Sequence, residues 1–167
     1  YALMAANAGM FGQAMANDIP GVAPPGSRGP GFGTNPFAYA LPAGEHRPVF
    51  LDIATSVAAG GKIHRARDAG ETLPDRWIVD ERGLPSDDPQ GYPETKTLRP
   101  MGNHKGYGIA FMIEALAGAL AGAGIMDEIT SWMRDDPTAP TNHGGAFLAI
   151  NVGAAASMEA FTRRIDE

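Results

Sequence analysis

The apolar segment from Ile109 to Met126 restricts the fold of this chain more than any other feature. Large apolar side chains recur along it at i, i+3, i+4, i+7 and i+11, and these are Ile109, Met112, Ile113, Leu116 and Leu120. The opposite side of the same segment is also apolar, with Ala110, Phe111, Ala115 and Ala119. Because a helix that is apolar all round avoids water on every side, the pattern predicts a helix buried within a domain.

Glu114 distinguishes this helix from one that spans a membrane. The apolar run approaches the length needed to cross a bilayer. A carboxylate near its middle, however, costs about 3 kcal/mol in lipid, and the surrounding Ala and Gly residues offset little of that cost. We therefore expect no membrane segment, and we expect Glu114 to be buried with a hydrogen-bonding partner.

Composition sets the class of protein. The chain of 167 residues is 44% hydrophobic, which suits one domain with its own core. Its 19 acidic residues outnumber 13 Lys and Arg, and the net charge of -6 disfavours nucleic acid and anionic membranes as partners. The absence of cysteine excludes a disulfide framework and fits a reducing, cytoplasmic location. No basic segment followed by an apolar one opens the sequence, so we expect no secretory signal. Helical patterns at both ends lead us to expect a piece of a longer protein.

Proline and glycine divide the remainder into short elements. The prediction comprises a helix over 1–8, strands over 10–16, 37–41, 49–53, 77–80 and 146–150, a helix from Thr55 or Ser56 to Gly70, and a helix after Ser157. The strands at 37–41 and 49–53 are apolar and are expected to be buried. Residues 17–36, rich in proline and glycine, are predicted to form a long ordered loop of functional importance. Residues 84–99 are polar and contain proline, which predicts a surface loop.

Lys105 lies at the start of the apolar helix, after Gly102 and Asn103. At such a position, unpaired backbone N–H groups and the helix dipole favour an anion, so the ammonium group would complete a phosphate or carboxylate site. The alternative is that Asn103 only caps the helix and Lys105 is solvated.

Asp52 ends a predicted strand, and α/β sheets commonly place ligands at the carboxyl ends of strands. Thr55 and Ser56 follow it with hydroxyl groups and the N–H groups of a helix start. Asp52 is equally consistent with a residue that caps the next helix. Asp18 follows the first long strand, where it either faces the same cleft or simply begins a loop.

The histidines indicate no metal site. His46, His64, His104 and His143 lack the spacings of known metal motifs, so we predict no metal. His104 and His143 are candidate acids or bases, although lone histidines in loops are more often only hydrogen-bonded. No P-loop for phosphate binding occurs. No Gly-x-Ser-x-Gly motif occurs either, which leaves nucleophilic hydrolysis without a candidate.

Three motifs follow one another along the chain: Gly33-Thr34-Asn35-Pro36, Phe50-Leu51-Asp52-Ile53-Ala54-Thr55-Ser56 and Gly102-Asn103-His104-Lys105-Gly106-Tyr107-Gly108. Their order and spacing resemble the malate/L-lactate dehydrogenase-like oxidoreductases that lack a Rossmann fold. The resemblance extends through residues 8–12 and 73–89 to nearly the whole chain. It implies an α/β (α+β) domain with a mixed β-sheet flanked by helices, which binds NAD or NADP without a Rossmann glycine loop.

The resemblance also implies which residues bind the cofactor. In relatives, the segment equivalent to Asp52-Ile53-Ala54 and the lysine equivalent to Lys105 line the NAD(P) site. The position of Asp18, often Ser or Thr in the family, lies close to that site. With the neighbouring hydroxyl residues and histidine, the candidate cofactor-binding residues are Asp18, Asp52, Ile53, Ala54, Thr55, Ser56, His104 and Lys105.

No catalytic residue is expected in this chain, because the family's general acid/base is a histidine upstream of the matching region. Residues 1–167 would then form the central cofactor-binding domain of a larger, homodimeric enzyme. That enzyme would transfer hydride between nicotinamide and a small 2-hydroxy or 2-oxo acid, or an imino equivalent. The alternative is a non-catalytic ligand-binding or dimerisation module with the same fold.

Overall fold

The computed structural model describes residues 1–131 and 135–167. Its helices and strands, in chain order, are α1 (Ala2–Asn7), β1 (Met10–Ala16), β2 (Phe37–Leu41), β3 (Val49–Ile53), α2 (Gly60–Ala69), β4 (Ile78–Val79), β5 (Pro85–Ser86), β6 (Thr97–Leu98), α3 (His104–Ile113), a π-helix (Glu114–Ala119), β7 (Gly145–Asn151) and α4 (Met158–Asp166). Short 3₁₀ turns lie at Met126–Glu128 and Val152–Ala154. Among the described residues, no helix is long and apolar enough to cross a membrane.

The larger sheet has the strand order β3-β2-β1-β7, and each neighbouring pair is antiparallel. Its two faces are covered by different helices, because side chains alternate along each strand. On one face, α1 packs against small residues such as Ala40. On the other face, Ile113 and Ala117 pack against Met15 and Phe37. The predicted α/β class, with helices flanking a sheet that has no Rossmann crossover, is confirmed.

A second, smaller sheet has the strand order β5-β4-β6. Its core cluster contains Val22, Ile63, Ile78 and Leu98. Leu98 and Tyr92 are buried, so the prediction of a surface loop over residues 84–99 is wrong for part of that range. The pairing of β4 with β6 places Leu98 opposite Ile78 in the core, which local polarity did not indicate.

Burial of β3 is a second correction. The predicted limits of this strand are confirmed, but its side chains are not buried, and Phe50 is 61% exposed. The reason is its position: β3 is an edge strand, paired only with β2 among the described residues. Apolar composition shows that the side chains of a strand can be buried. Whether another element covers them depends on the rest of the fold.

The start of α2 is a third correction. The helix begins at Gly60 with Ala59 at its N-cap, and neither Thr55 nor Ser56 caps it. The Thr55 hydroxyl donates to the Thr34 carbonyl, and the Ser56 hydroxyl donates to the carbonyl of Ala58. The predicted end is confirmed, since Gly70 adopts a left-handed conformation with φ of 69° at the C-cap.

The apolar helix itself is only half-covered. Its first part is α3, and the chain then widens into the π-helix that begins at Glu114. Ile113 is 3% exposed and faces the sheet, whereas Met112 is 55% exposed and Leu120 is 78% exposed. The prediction of burial on every side is therefore wrong for this chain. The sheet and the loop between β1 and β2 cover two sides of the helix, and no described element covers Met112 or Leu120.

Candidate functional site

Thr55 is the point at which the three sequence motifs meet. Its backbone N–H donates to the Thr34 carbonyl over 2.9 Å, and its hydroxyl donates to the same oxygen over 2.8 Å. Its own carbonyl accepts from the backbone N–H of Met101 over 2.8 Å. The end of β3, the loop before β2 and the turn before α3 are thereby held side by side.

Gly106 allows this close approach. A Cβ atom at this position would overlap the carbonyl oxygen of Met101 and would lie 2.8 Å from that of Thr55. Both obstacles are backbone atoms, which cannot rotate away. A glycine is therefore required where α3 starts against the segment that follows β3.

The segment 52–56 contributes mainly backbone to the site. Asp52 is exposed and pairs with Ala38 across the sheet edge, while Ile53 packs against the cluster around Met15 and Phe37. Ala54, the next residue along the chain, is half-buried. Thr55 is 0% exposed and Ser56 is 6% exposed, and both hydroxyls donate within the protein. Of the polar side chains in this segment, only the Asp52 carboxylate is freely accessible.

His104 and Lys105 are both exposed at the start of α3. Asn103 stands at the N-cap with φ of 57°, and its side chain makes no capping hydrogen bond. The amides of Lys105 and Gly106 already donate to the carbonyls of Gly102 and Met101. The expectation of unpaired amides at this turn is thus wrong for these two groups. The Lys105 ammonium forms no ion pair within the described residues and is a cation available to an anion.

Asp18 is held by groups of its own protein. One carboxylate oxygen accepts from the Thr34 hydroxyl over 3.0 Å. The other accepts from the backbone N–H of Ile19 over 2.9 Å and lies 3.4 Å from Nε2 of His143. These contacts orient the carboxylate toward the loop, and Asp18 does not line the groove described next.

A groove of about 460 Å³ separates the β1–β2 face of the sheet from α3 and the π-helix. Its lining residues are Gln13, Met15, Phe37, Tyr39, His104, Lys105, Gly108, Ile109, Met112, Ile113 and Leu116. Of the predicted site residues, His104 and Lys105 lie in this lining, and the other six lie outside it. The groove is thus largely apolar with one cation near its end.

Sequence reasoning missed the strand side of this groove. Gln13 pairs with Tyr39, and Met15 pairs with Phe37, so these four side chains share one face. Nε2 of Gln13 donates to the Tyr39 hydroxyl over 3.2 Å. The alternation of side chains along each strand could be predicted from the sequence, but the register that pairs the two strands could not.

Within residues 1–131 and 135–167, no group of three or more His, Asp or Glu side chains is arranged to hold a metal ion. His64 makes an edge contact with the ring of Tyr92, and His143 lies beside Asp18. These histidines therefore have identifiable structural neighbours.

Comparison with known proteins relates the full chain to the same family that the three motifs resemble. Residues 1–167 match the family described as "Malate/L-lactate dehydrogenase". The chain is 37% identical over 167 residues to L-sulfolactate dehydrogenase of Methanothermobacter thermautotrophicus, covering all of this chain and 48% of that protein. It is 38% identical over 165 residues to the Delta(1)-pyrroline-2-carboxylate/Delta(1)-piperideine-2-carboxylate reductase of Pseudomonas putida, covering 97% of this chain and 47% of that protein.

Solved structures agree with these sequence relationships. The sulfolactate dehydrogenase from Methanocaldococcus jannaschii superposes with a TM-score of 0.89 at 34% identity, over 99% of this chain and 47% of that one. The chain spans about half the length of the curated relatives it matches. Since the family match covers every residue, the chain belongs to the malate/L-lactate dehydrogenase family.

Proposed function

We propose that residues 1–167 are the central cofactor-binding domain of an NAD(P)-dependent oxidoreductase. The enzyme transfers hydride between nicotinamide and a small 2-hydroxy or 2-oxo acid, or the equivalent cyclic imine. The observation that carries the proposal is the meeting of three family motifs at Thr55. Backbone hydrogen bonds join Thr55 to Thr34 of the first motif and to Met101, the residue before the third motif. Gly106 of the third motif packs against the Thr55 carbonyl. The domain assignment is supported by the coverage of relatives, of which this chain matches about half.

The residues of the groove fit a nicotinamide dinucleotide. Ligand pockets are mostly apolar with a few oriented polar groups, and a volume of about 460 Å³ suits part of such a molecule. Lys105 supplies a cation without an internal counter-ion at one end, which suits a diphosphate or a 2′-phosphate. Asp18, by contrast, already accepts hydrogen bonds from its own loop, so its carboxylate is turned to internal donors.

Each part of the domain has a distinct task in this proposal. When bound, the nicotinamide cofactor supplies or accepts the hydride. Lys105 attracts and orients the phosphate groups of the cofactor. Ile109 and Met112 form apolar walls that exclude water from its ring systems. The proton transfer that accompanies hydride transfer is assigned to a histidine outside these 167 residues. No metal takes part in the proposed role.

The names of the relatives support the proposed substrate class. Proteins 34–38% identical to this chain are named for sulfolactate, ureidoglycolate, malate and pyrroline-2-carboxylate, which share a carboxylate next to the carbon that gains or loses hydride. We propose the same class here, in a cytoplasmic homodimer that binds neither nucleic acid nor membrane. The net charge of -6 supports the absence of nucleic acid as a partner.

A dehydrogenase panel on the full-length protein tests the proposal. Oxidation of NADH and NADPH is followed with small 2-oxo acids and with cyclic imine-2-carboxylates, and the reverse reaction with the 2-hydroxy acids. We expect turnover with at least one member and one of the two cofactors. The proposal would be refuted if the protein bound neither cofactor and turned over no member of the panel. That result would favour a non-catalytic module.

A further inference from the structure

A buried pair of polar side chains, Asn35 and Glu114, lies beneath the site. Asn35 is 0% exposed, and Glu114 is 5% exposed. Nδ2 of Asn35 donates to a carboxylate oxygen of Glu114 over 2.8 Å and to the Ala110 carbonyl over 3.0 Å. Glu114 has no ion-pair partner within the described residues, so amide groups satisfy this buried carboxylate.

The pair joins two elements that carry the proposed site. Oδ1 of Asn35 accepts from the backbone N–H of Asp18 over 3.1 Å, which ties together the two ends of the loop between β1 and β2. The residue before Asn35 is Thr34, whose carbonyl holds Thr55. On the other side, Ala110 belongs to the last turn of α3, the helix that begins at His104 and Lys105.

Asn35 has an unusual backbone conformation, and Glu114 lies at an unusual point in its helix. Asn35 has φ of 30°, in a region that residues other than glycine rarely occupy and that Asn tolerates better than most. Glu114 is the residue at which α3 gives way to the π-helix, and its second carboxylate oxygen accepts from the N–H of Met126 over 2.7 Å. Such strained turns and π-bulges persist where surrounding contacts hold them, often at functional sites.

We infer that the Asn35–Glu114 pair is a positioning device that fixes the Asp18–Thr34 loop against α3 and so sets the geometry of the cofactor groove. The inference rests on the proposed function for its consequence in binding. It concerns positioning only, since both side chains are buried and neither lines the groove. Removing the pair should therefore weaken cofactor binding beyond what an equal loss of stability would cause.

The substitution Asn35→Asp tests the pair with little change in shape. Asp also tolerates positive φ, so the turn is retained. The new carboxylate faces that of Glu114, and two carboxylates at this distance cannot both be ionised without strong repulsion. On acidification a shared proton restores one donor, the O–H that bonds to Glu114, whereas the amide's second hydrogen bond, to the Ala110 carbonyl, is not replaced.

The experiment uses the full-length protein and compares wild type, Asn35→Asp and Ile63→Ala. Ile63 is fully buried in the cluster of the smaller sheet, so its truncation lowers stability away from the groove. NADH and NADPH affinities are measured between about pH 8 and about pH 5, a range in which a coupled buried carboxyl pair takes up a proton. We expect Asn35→Asp to bind at least about tenfold more weakly than wild type at the upper pH, and to recover relative to wild type as the pH falls. Wild type measured across the same range controls for effects of pH on binding that do not involve the pair.

Hydrogen exchange of the Asp18 and Thr55 amides provides a readout that needs no cofactor. We expect Asn35→Asp to speed exchange at both amides more than Ile63→Ala does. Equal affinity in Asn35→Asp and wild type at every pH, or an equal loss in Ile63→Ala, would overturn the inference. If wild type binds neither cofactor, the proposed function fails, and the exchange rates alone then decide whether the pair positions the loop.

Discussion

Replacement of Lys105 by Ala is the most direct test of the cofactor site. The Lys105 ammonium is exposed, lines the groove and has no ion pair within the described residues. Its loss should remove a charge-assisted contact to a cofactor phosphate, worth about 1.5–3 kcal/mol. The dissociation constant of NAD(P)H should rise about 10- to 150-fold.

The same substitution should have little effect on the stability of the fold. Lys105 is exposed, and a cation in the first turn of a helix lies against the positive end of the helix dipole. Its removal should change the free energy of unfolding by less than about 0.5 kcal/mol, with a slight gain as the expected sign. Affinity and stability are therefore separable in one variant.

The assay is fluorescence titration of the full-length protein with NADH and NADPH, with thermal melting alongside. Lys62→Ala is the matched control, because Lys62 is an exposed cation on α2 outside the groove and its loss makes the same change in net charge. If Lys105→Ala binds no more weakly than Lys62→Ala, Lys105 is only solvated and the groove loses its anion-binding residue. An effect that persists undiminished at high salt would also argue against a charge contact.

Three further predictions concern packing, acid stability and activity. Gly144→Ala should destabilise the protein by about 2 kcal/mol or more, because the new Cβ would overlap the carbonyl group of Ala117, with its carbonyl carbon only 2.7 Å away; an unchanged melting temperature would contradict this. The backbone N–H of Glu45 holds the pKa of Asp166 below its ordinary value. The carboxylate therefore stabilises the fold above its ordinary pKa, and this contribution is lost as the pH falls through the lowered one. Asp166→Asn should be less stable at neutral pH, and its difference from wild type should shrink in acid unfolding curves; a gap independent of pH would refute the ionic cause. The 167-residue chain alone should show no turnover with any 2-oxo acid, and measurable NADH oxidation by it would place the proton donor within these residues.

Local patterns predicted the elements of the larger sheet because each one is encoded within a few residues. Strands β1, β2 and β3 have the limits that Pro and Gly boundaries indicated. Burial of Glu114 was also predictable, since a carboxylate on an apolar helix must find hydrogen-bond donors. Its two donors, from Asn35 and Met126, confirm that expectation.

Contacts between distant segments were not readable in the same way. The Thr55 hydroxyl had two local uses, a ligand contact or a helix cap, and it instead donates to Thr34, 21 residues away. Gln13 meets Tyr39 through a strand register that spans 26 residues. Local sequence gives the chemistry of such side chains, whereas their partners depend on how the strands and loops come together.

Exposure of the apolar helix leads to a final prediction about its two faces. The sequence makes α3 and the π-helix apolar all round, yet Ile113 is 3% exposed while Leu120, at the C-cap of the π-helix, is 78% exposed. Ile113→Ala in this chain should cost about 2–5 kcal/mol, because it leaves a cavity against the sheet. Leu120→Ala should change stability by less than about 0.5 kcal/mol, since the side chain is already in water.

Chemical denaturation of the two variants, with wild type as reference, separates the alternatives. A large loss in Leu120→Ala would mean that the helix is covered on both sides even in this chain, as its composition alone predicts. A small loss in Ile113→Ala would mean that the helix does not pack on the sheet through Met15 and Phe37. The expected contrast follows from position alone, because the two side chains are similar in size and both are apolar, so the free energy of unfolding reports which face the fold covers.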